Sequence, residues 1–200
     1  LSGGIAKEKM KKPINIAIFA AGIVLFIISI SLDKDAFYFF KSAEGPFFDA
    51  IFGFITNFLN IFVILILATT LFLLNEKKRK MVFPLWLSFF LSVATAFILK
   101  LIIERPRPLG ESFYAMFNIL SYSFPSMHAM AAFALLPVLN KEFPKLRLLW
   151  LLSASIFAFS RLYFNYHFLS DVIFGAFLGY FVGIFAVYFE KKYSPSRFLK

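Results

Sequence analysis

The sequence predicts an all-α membrane protein with six transmembrane helices in a single domain covering residues 1–200, and with short interfacial helices on the outer side. Of its residues, 60% are hydrophobic and 16% are charged, which is far more apolar than an average soluble domain. Several uncharged apolar runs approach the roughly 20 residues that a membrane-spanning helix needs. Cationic residues are concentrated in alternate connections between these runs, as in a multi-pass membrane protein.

The six predicted spans are apolar runs without internal charge. The fourth and fifth are short, as expected of helices whose ends carry polar groups buried in protein instead of facing lipid. Residues 1–12 form a basic flank before the first span, and the opening Leu-Ser-Gly-Gly without methionine is consistent with either a processed end or residues that are not native. The spans are Ile14–Leu32, Phe52–Leu74, Met81–Leu99, Pro125–Asn140, Leu148–Ser160 and Val172–Phe189.

The interfacial elements are predicted in the connections opposite the two termini. Asp33–Asp49 mixes acidic with aromatic residues and is interrupted by a Gly-Pro pair, a composition suited to the lipid headgroup level. Two prolines beside Arg107 stop the third helix, and Arg105 is expected to extend to lipid phosphates. Residues 110–124 are expected to form a loop with a short interfacial turn around Phe113–Leu120.

A glycine stripe marks the sixth span. Gly175, Gly179 and Gly183 are spaced by four and share one helical face. Small residues at this spacing let two helices approach closely, so the stripe predicts packing and carries no chemistry.

The net charge of +10 is explained by sidedness and gives no evidence of nucleic-acid binding. Most cations fall in the N-terminal flank, in Lys77–Lys80, in Lys141–Arg147 and in the C-terminal tail, which alternate spans place on one side. The positive-inside rule puts that side, with both termini, in the cytoplasm. The chain has no cysteine, which excludes disulfides and thiolate metal sites.

Ionisable side chains in the outward-facing connections form the candidate site. Ser160–Asp171 places an arginine, a histidine and an aspartate in apolar sequence, and at membrane depth such groups usually face a bundle interior or a wet cavity. The chain has two histidines, His167 in this stretch and His128 at the start of an apolar run. Ser126 can cap the helix that begins there, which leaves free N–H groups suited to an anion.

These groups suit a phosphate site with a base. Phosphoryl transfer mostly needs charge neutralisation and in-line positioning, which guanidinium and ammonium groups supply. Asp171 follows His167 by four residues, so on a helical turn it can accept the ring N–H and leave the other nitrogen to attack. His128 is then available to protonate the leaving oxygen. The cations are Lys100, Arg107 and Arg161.

At these residues the chain resembles the type 2 phosphatidic acid phosphatase family, whose site is related to that of vanadium haloperoxidases. The second family motif usually reads Pro-Ser-Gly-His, and here Met127 stands in place of the glycine. Methionine loses access to φ > 0 and adds bulk beside a headgroup. The first and third motifs match at the family's spacings through Lys100, Arg107, Pro108, Ser160, Arg161, His167 and Asp171.

The resemblance implies a role for each site residue. His167 would be the nucleophile that forms a phosphohistidine, Asp171 would orient it, and His128 would be the general acid. Water would then hydrolyse the intermediate, with no metal or other cofactor. The six membrane helices of the family agree with the span count. The implied phosphate-binding groups are Lys100, Arg107, Ser126, Arg161 and the backbone N–H of Met127.

The resemblance also implies a substrate class and a setting. The partners would be the membrane and a lipid phosphate, at a site facing the periplasm in a bacterial inner membrane. The compact form with short outer loops resembles the lipid A 1-phosphatases, so lipid A 1-phosphate is the first expectation. Undecaprenyl pyrophosphate and phosphatidylglycerophosphate are the alternatives. The sequence does not give the oligomeric state.

Two other classes compete with this interpretation. Two histidines and an aspartate could bind zinc, but the three cations around them would repel a dication. A transporter could also combine six spans with buried charge. Here the charges lie at one face instead of the midplane, and the sequence shows no inverted repeat.

Overall fold

A computed structural model describes residues 2–57, 59–109 and 121–193, and the regular elements in these ranges are helical. Two 3₁₀ turns, Glu76–Met81 and Pro144–Leu146, precede the fourth and the sixth α-helix. The turn expected around Phe113–Leu120 lies outside the described residues. The α-helices of the described ranges are α1 (Ser2–Ser42), α2 (Pro46–Ile55), α3 (Leu59–Leu73), α4 (Val82–Ile103), α5 (Met127–Glu142), α6 (Arg147–Tyr163) and α7 (Leu169–Tyr193).

Within the described ranges, three helical segments are long and apolar enough to cross a membrane. They are Glu76–Ile103, Pro144–Tyr163 and Leu169–Tyr193, and two shorter helices are also apolar. Their outer faces expose large apolar side chains such as Ile102 and Leu148, a surface that suits hydrocarbon better than water. The predicted all-α class is confirmed, while the count of six spans and the outer placement of the interfacial helices stay predictions.

The first helix is longer than predicted and replaces the separate interfacial segment expected at Asp33–Asp49. α1 continues through Leu32 to Ser42, and α2 begins after Gly45. No glycine or proline occurs between Leu32 and Gly45, so no residue there interrupts the backbone hydrogen bonding of the helix. Asp33, expected at the headgroup level, is buried.

The second predicted span, Phe52–Leu74, consists of two helices. α2 ends at Ile55, with Thr56 as its C-cap, and α3 begins at Leu59. Thr56 and Asn57 have low helix propensity and interrupt an otherwise apolar run. None of the residues of α2 is buried, so this helix lies on the outside of the bundle.

The last four helices lie where the sequence predicts them, to within a few residues. α4 ends before the two prolines, and its C-cap Glu104 has a left-handed backbone with φ of 49°. Ser126 is the N-cap of α5, where its hydroxyl accepts a hydrogen bond from the N–H of Ala129 at 3.5 Å.

α5 is the central helix and packs against α4, α6 and α7. Its closest approach is to α7, across the glycine stripe. A Cβ atom on Gly179 would lie 2.1 Å from the carbonyl oxygen of Met130, and one on Gly183 would lie 2.2 Å from that of Ala134. The stripe is therefore a packing surface, as predicted, and its partner is α5.

The connections after α3 and α5 meet at one end of the bundle, the basic end, which carries Lys77–Lys80 and Lys141–Lys145. There Lys78 Nζ donates to the carbonyl oxygen of Glu142 at 2.9 Å and lies 3.9 Å from the ring centroid of Phe143. A hydrophobic core joins this end to the middle of the bundle. Its fully or almost fully buried members include Leu65, Phe72, Met81, Leu85, Phe89, Leu135 and Leu139.

Replacing Gly179 by alanine is expected to destabilise the fold by about 1–3 kcal/mol or more, because the new methyl group meets backbone that cannot move aside. Gly53→Ala is the matched control, since nothing lies within 4 Å of a Cβ at that position. The measurement is thermal unfolding in detergent, followed by the fluorescence of the chain's two tryptophans. Equal melting temperatures for the two variants would contradict the packing described for α5 and α7.

Candidate active site

Four segments meet at the opposite end of the bundle, hereafter the site end: the end of α4 with the residues after it, the start of α5, the end of α6, and the α6–α7 connection with the first turn of α7. The charges of Lys100, Arg107 and Arg161 act on His167. Arg161 and His167 act in turn on His128. All residues predicted for the site lie in these segments: Lys100, Arg107, Ser126, Met127, His128, Arg161, His167 and Asp171.

Lys100 lies in the last turn of α4 and is 2% exposed. Its Nζ donates to the carbonyl oxygens of Tyr122, at 2.5 Å, and Ser123, at 3.4 Å. A buried ammonium needs such acceptors, because burial without them is costly. The helix ends just beyond, where the N–H of Glu104 donates to the carbonyl oxygen of Lys100 at 3.0 Å. The end of α4 thereby fixes where the ammonium lies.

Two guanidinium groups contact Tyr166. Arg107 donates to the carbonyl oxygens of Ser121, from Nε at 3.2 Å, and Tyr166, from Nη1 at 3.1 Å. Arg161 donates from Nη1 to the hydroxyl of Thr56 and to its carbonyl oxygen, the latter at 3.2 Å. The Cζ of Arg161 lies 4.6 Å from the ring centroid of Tyr166. Carbonyl oxygens orient these cations without neutralising their charge.

His167 lies in the short connection between α6 and α7 and is buried. The connection turns at Asn165, whose backbone is left-handed with φ of 50° and whose N–H donates to the carbonyl oxygen of Leu162 at 2.9 Å. Burial lowers the pKa of His167 well below its usual range, and the three neighbouring cations lower it further. The imidazole is therefore neutral at neutral pH, the form that a nucleophile requires.

Asp171 is fully buried in the first turn of α7. Its Oδ2 accepts a hydrogen bond from the N–H of Phe168 at 2.9 Å and lies 3.8 Å from Nδ1 of His167. That separation exceeds hydrogen-bond length, so the carboxylate faces the imidazole without bonding to it. The spacing in the sequence therefore predicts the proximity of the two side chains, and the orienting role of Asp171 stays a prediction.

The start of α5 brings Ser126 and His128 to the site end. Ser126 is fully buried, and its N–H donates to the carbonyl oxygen of Asp171 at 3.1 Å. The first N–H groups of a helix have no partner within the helix, which makes its N-terminus a favourable place for an anion. The backbone of Thr56 lies beside His128. The break between α2 and α3 therefore borders the site.

Arg105 does not have the environment predicted for it. Its Nη2 lies 2.7 Å from Oδ2 of Asp33, and its Nη1 lies 2.7 Å from both Oδ1 of Asp171 and Oγ of Ser170. Its Cζ lies 4.0 Å from the ring centroid of Phe168. The expected extension to lipid phosphates is wrong, because two buried carboxylates draw the guanidinium inward.

Three residues at the site end were missed by the sequence analysis: Asp33, Thr56 and Ser123. Ser123 donates its N–H to the carbonyl oxygen of Arg105 at 2.7 Å and its hydroxyl to that of Pro106 at 3.0 Å. It thus supports the segment after α4 from within. Each had a signal in the sequence that could have identified it. Asp33 is an acid directly after the first apolar run, Thr56 is a polar residue within the second run, and Ser123 lies just before the second motif.

The arrangement combines cations and a helix N-terminus with a buried neutral imidazole. Such a site can hold an oxyanion and place a nucleophile against its central atom. In residues 20–57, 60–109 and 121–193, no three histidine, cysteine or acidic side chains are grouped as ligands of a metal ion. Cationic side chains and a helix N-terminus both favour negative charge, so the described side chains suit an anion.

Two solved structures are similar to this chain over most of its length. The transmembrane PAP2-type phosphatidylglycerolphosphate phosphatase of Bacillus subtilis has a TM-score of 0.71 and 22% identity, covering 89% of this chain and 96% of that one. LpxE of Aquifex aeolicus has a TM-score of 0.63 and 26% identity, covering 78% and 95%. The shared fold extends beyond the site to most of the helices.

The family model described as the PAP2 superfamily matches residues 81–194, which is more than half of the chain. The matched segment runs from the end of the first 3₁₀ turn through α7. It contains all the predicted site residues, whereas α1, α2 and α3 precede it. The chain therefore belongs to the PAP2 superfamily and has the fold of a PAP2-type membrane lipid phosphatase.

Proposed function

We propose that this protein is an integral-membrane lipid phosphatase that hydrolyses a phosphomonoester or pyrophosphate headgroup through a phosphohistidine on His167. The observation that carries the proposal is the environment of His167, a buried imidazole among Lys100, Arg107 and Arg161. A neutral nucleophile among fixed cations suits attack on a phosphate better than attack on an uncharged substrate.

In the first step the headgroup phosphate lies among the three cations, with one oxygen at the N-terminus of α5. A ring nitrogen of His167 attacks phosphorus in line with the ester oxygen, so that a nitrogen–phosphorus bond forms as the phosphorus–oxygen bond breaks. The departing oxygen takes a proton from His128, which must be in its protonated form; the negative charge of the bound phosphate favours that form. The cations stabilise the negative charge on the equatorial oxygens.

In the second step water attacks the phosphohistidine. His128, now neutral, accepts the proton of the water, and orthophosphate leaves with regeneration of His167. The carboxylate of Asp171 stabilises the positive ring of the intermediate across the 3.8 Å gap. The cations supply the charge stabilisation that a metal ion supplies in other phosphatases and would repel a dication, so the reaction is proposed to need no metal.

An apolar cavity that begins one helical turn from the site residues supports a substrate with hydrocarbon chains. It has a volume of about 140 Å³ and lies between α3, α5 and α6. Ala132 and Phe157, two of its lining residues, lie one helical turn from His128 and Arg161 respectively. The cavity therefore lies on the same faces of α5 and α6 as those site residues, further into the bundle. A lipid chain would extend into it from a bound headgroup.

Lipid A 1-phosphate is the substrate proposed first, with the site facing the periplasm of a bacterial inner membrane and both termini in the cytoplasm. The compact chain and its 26% identity with LpxE support this choice. Undecaprenyl pyrophosphate and phosphatidylglycerophosphate are the alternatives. Met127 stands where the family usually has glycine, so headgroup selection is where this chain is expected to differ from its relatives.

Phosphate release from a panel of these lipids is expected to survive EDTA and to be inhibited by orthovanadate, which resembles the phosphoryl group in the transition state. One purified preparation should be assayed on lipid A, undecaprenyl pyrophosphate, phosphatidylglycerophosphate and phosphatidate, with phosphate release as the measurement. Activity lost in EDTA and restored by zinc or magnesium would overturn the metal-free mechanism. Highest activity on a lipid other than lipid A would replace the substrate but keep the reaction.

Replacing His128 and replacing His167 are expected to lower activity in ways that depend differently on the leaving group of the substrate. His128→Ala should lose about 100-fold or more on a lipid phosphate, whose alkoxide needs a proton, and much less on p-nitrophenyl phosphate, whose leaving group is a stable anion. His167→Ala should be inactive on both, because every substrate needs the nucleophile. Equal losses of His128→Ala on the two substrates, or acid-labile phosphate trapped on His128, would show that the roles are assigned wrongly.

The ring of His167 is expected to stay neutral as the pH falls through 6.5, because burial and neighbouring cations lower its pKa. His128→Gln leaves His167 as the single histidine of an untagged chain. Nitrogen-15 NMR of labelled histidine in this variant reports the protonation state directly. A ring that is already protonated at pH 6.5 would contradict the electrostatic description of the site.

A further inference from the structure

Arg105 differs from the other site cations in its partners. Lys100, Arg107 and Arg161 donate to backbone carbonyl oxygens, which carry no formal charge. Arg105 forms ion pairs of 2.7 Å with two carboxylates, those of Asp33 and Asp171. Its charge is thereby neutralised, which argues against a role in holding phosphate.

Both carboxylates support the turn that carries His167. Asp33 accepts hydrogen bonds from the N–H of Ser170, at 2.8 Å, and from its hydroxyl, at 2.6 Å. Ser170 is the second residue of α7, so its N–H has no partner within that helix. Asp171 accepts from the N–H of Phe168 at 2.9 Å. The backbone directly after His167 is thus held by one acid from α1 and one from α7, with Arg105 joining the two.

We propose that Asp33 and Arg105 are positioning residues, which set the location of His167 and Asp171 without touching the substrate. α1 is then part of the catalytic apparatus, although it precedes the segment that the family model matches. The inference rests on the proposed function for its kinetic test. Asp33 is 7% exposed and Asp171 is fully buried, so a displaced member leaves a charge that neither lipid nor water can compensate fully.

The test compares kcat and KM for Asp33→Asn, Arg105→Gln and the double variant, with Asp35→Asn as the matched control on an exposed position of the same helix. Each single variant is expected to lower kcat by about 10- to 100-fold, the usual effect of losing a partner that orients a site residue. KM should change by less than about threefold, because the phosphate-binding groups are intact. The kcat of the double variant should be only slightly below that of the less active single variant, because Asp33 and Arg105 act through the same ion pair.

Arg105→Lys separates charge from geometry. An ammonium keeps the charge but cannot span two carboxylates as a guanidinium fork does, so it should recover only part of the loss in kcat. Full recovery by lysine would show that charge alone matters and would overturn the proposed positioning. So would single variants whose correctly folded fraction, isolated by size-exclusion chromatography, keeps the kcat of the unmodified chain.

A second readout does not depend on catalysis. In the His128→Gln background, the ring resonances of His167 are expected to shift when Asp33→Asn is added and to stay in place when Asp35→Asn is added. Unmoved resonances in both would overturn the inference. If the unmodified chain hydrolyses none of the lipid phosphates, the proposed function fails, and these resonances still decide whether α1 positions the turn.

Discussion

The two ion pairs of Arg105 hold the site end of the bundle together. A charge buried among apolar helices is tolerated only when it is paired and hydrogen-bonded. Here one guanidinium pairs with Asp33 of α1 and Asp171 of α7, and itself belongs to the segment after α4. Three parts of the chain far apart in sequence are joined by one side chain. The first helix therefore supports the polar end of α7 through Asp33.

The backbone contact between α5 and α7 fixes how the start of α5 lies relative to the start of α7. A Cβ on Gly175 would lie 2.7 Å from the carbonyl oxygen of Ser126. With no side chain between the helices, the N–H of Ser126 reaches the carbonyl oxygen of Asp171 at 3.1 Å. His128 follows Ser126, and His167 precedes Asp171. The close approach of α5 and α7 at the glycines thus helps to set the relative depth of the two histidines.

Local patterns predicted much of this arrangement. Apolar runs and prolines gave the last four helices to within a few residues, and motif spacing identified side chains that lie together at the site end. The extension of α1 was missed because acids beside aromatic residues are also typical of a headgroup region. The role of Asp33 could not be read from the sequence, since its partners lie far along the chain. Arg105 was misjudged because an arginine at a helix end is equally compatible with lipid phosphate and a buried acid.

The carbonyl partners of Lys100, Arg107 and Arg161 have an energetic consequence for binding. Each cation already occupies a defined position, held by the carbonyl oxygens of Tyr122, Ser121 and Thr56 among others. Long cationic side chains lose substantial rotamer entropy when an anion fixes them on arrival. In this protein part of that entropy has been lost during folding, because the carbonyl contacts already orient the three side chains. The proposed phosphate site is therefore preorganised, and the free energy that orients its cations is part of the free energy of folding.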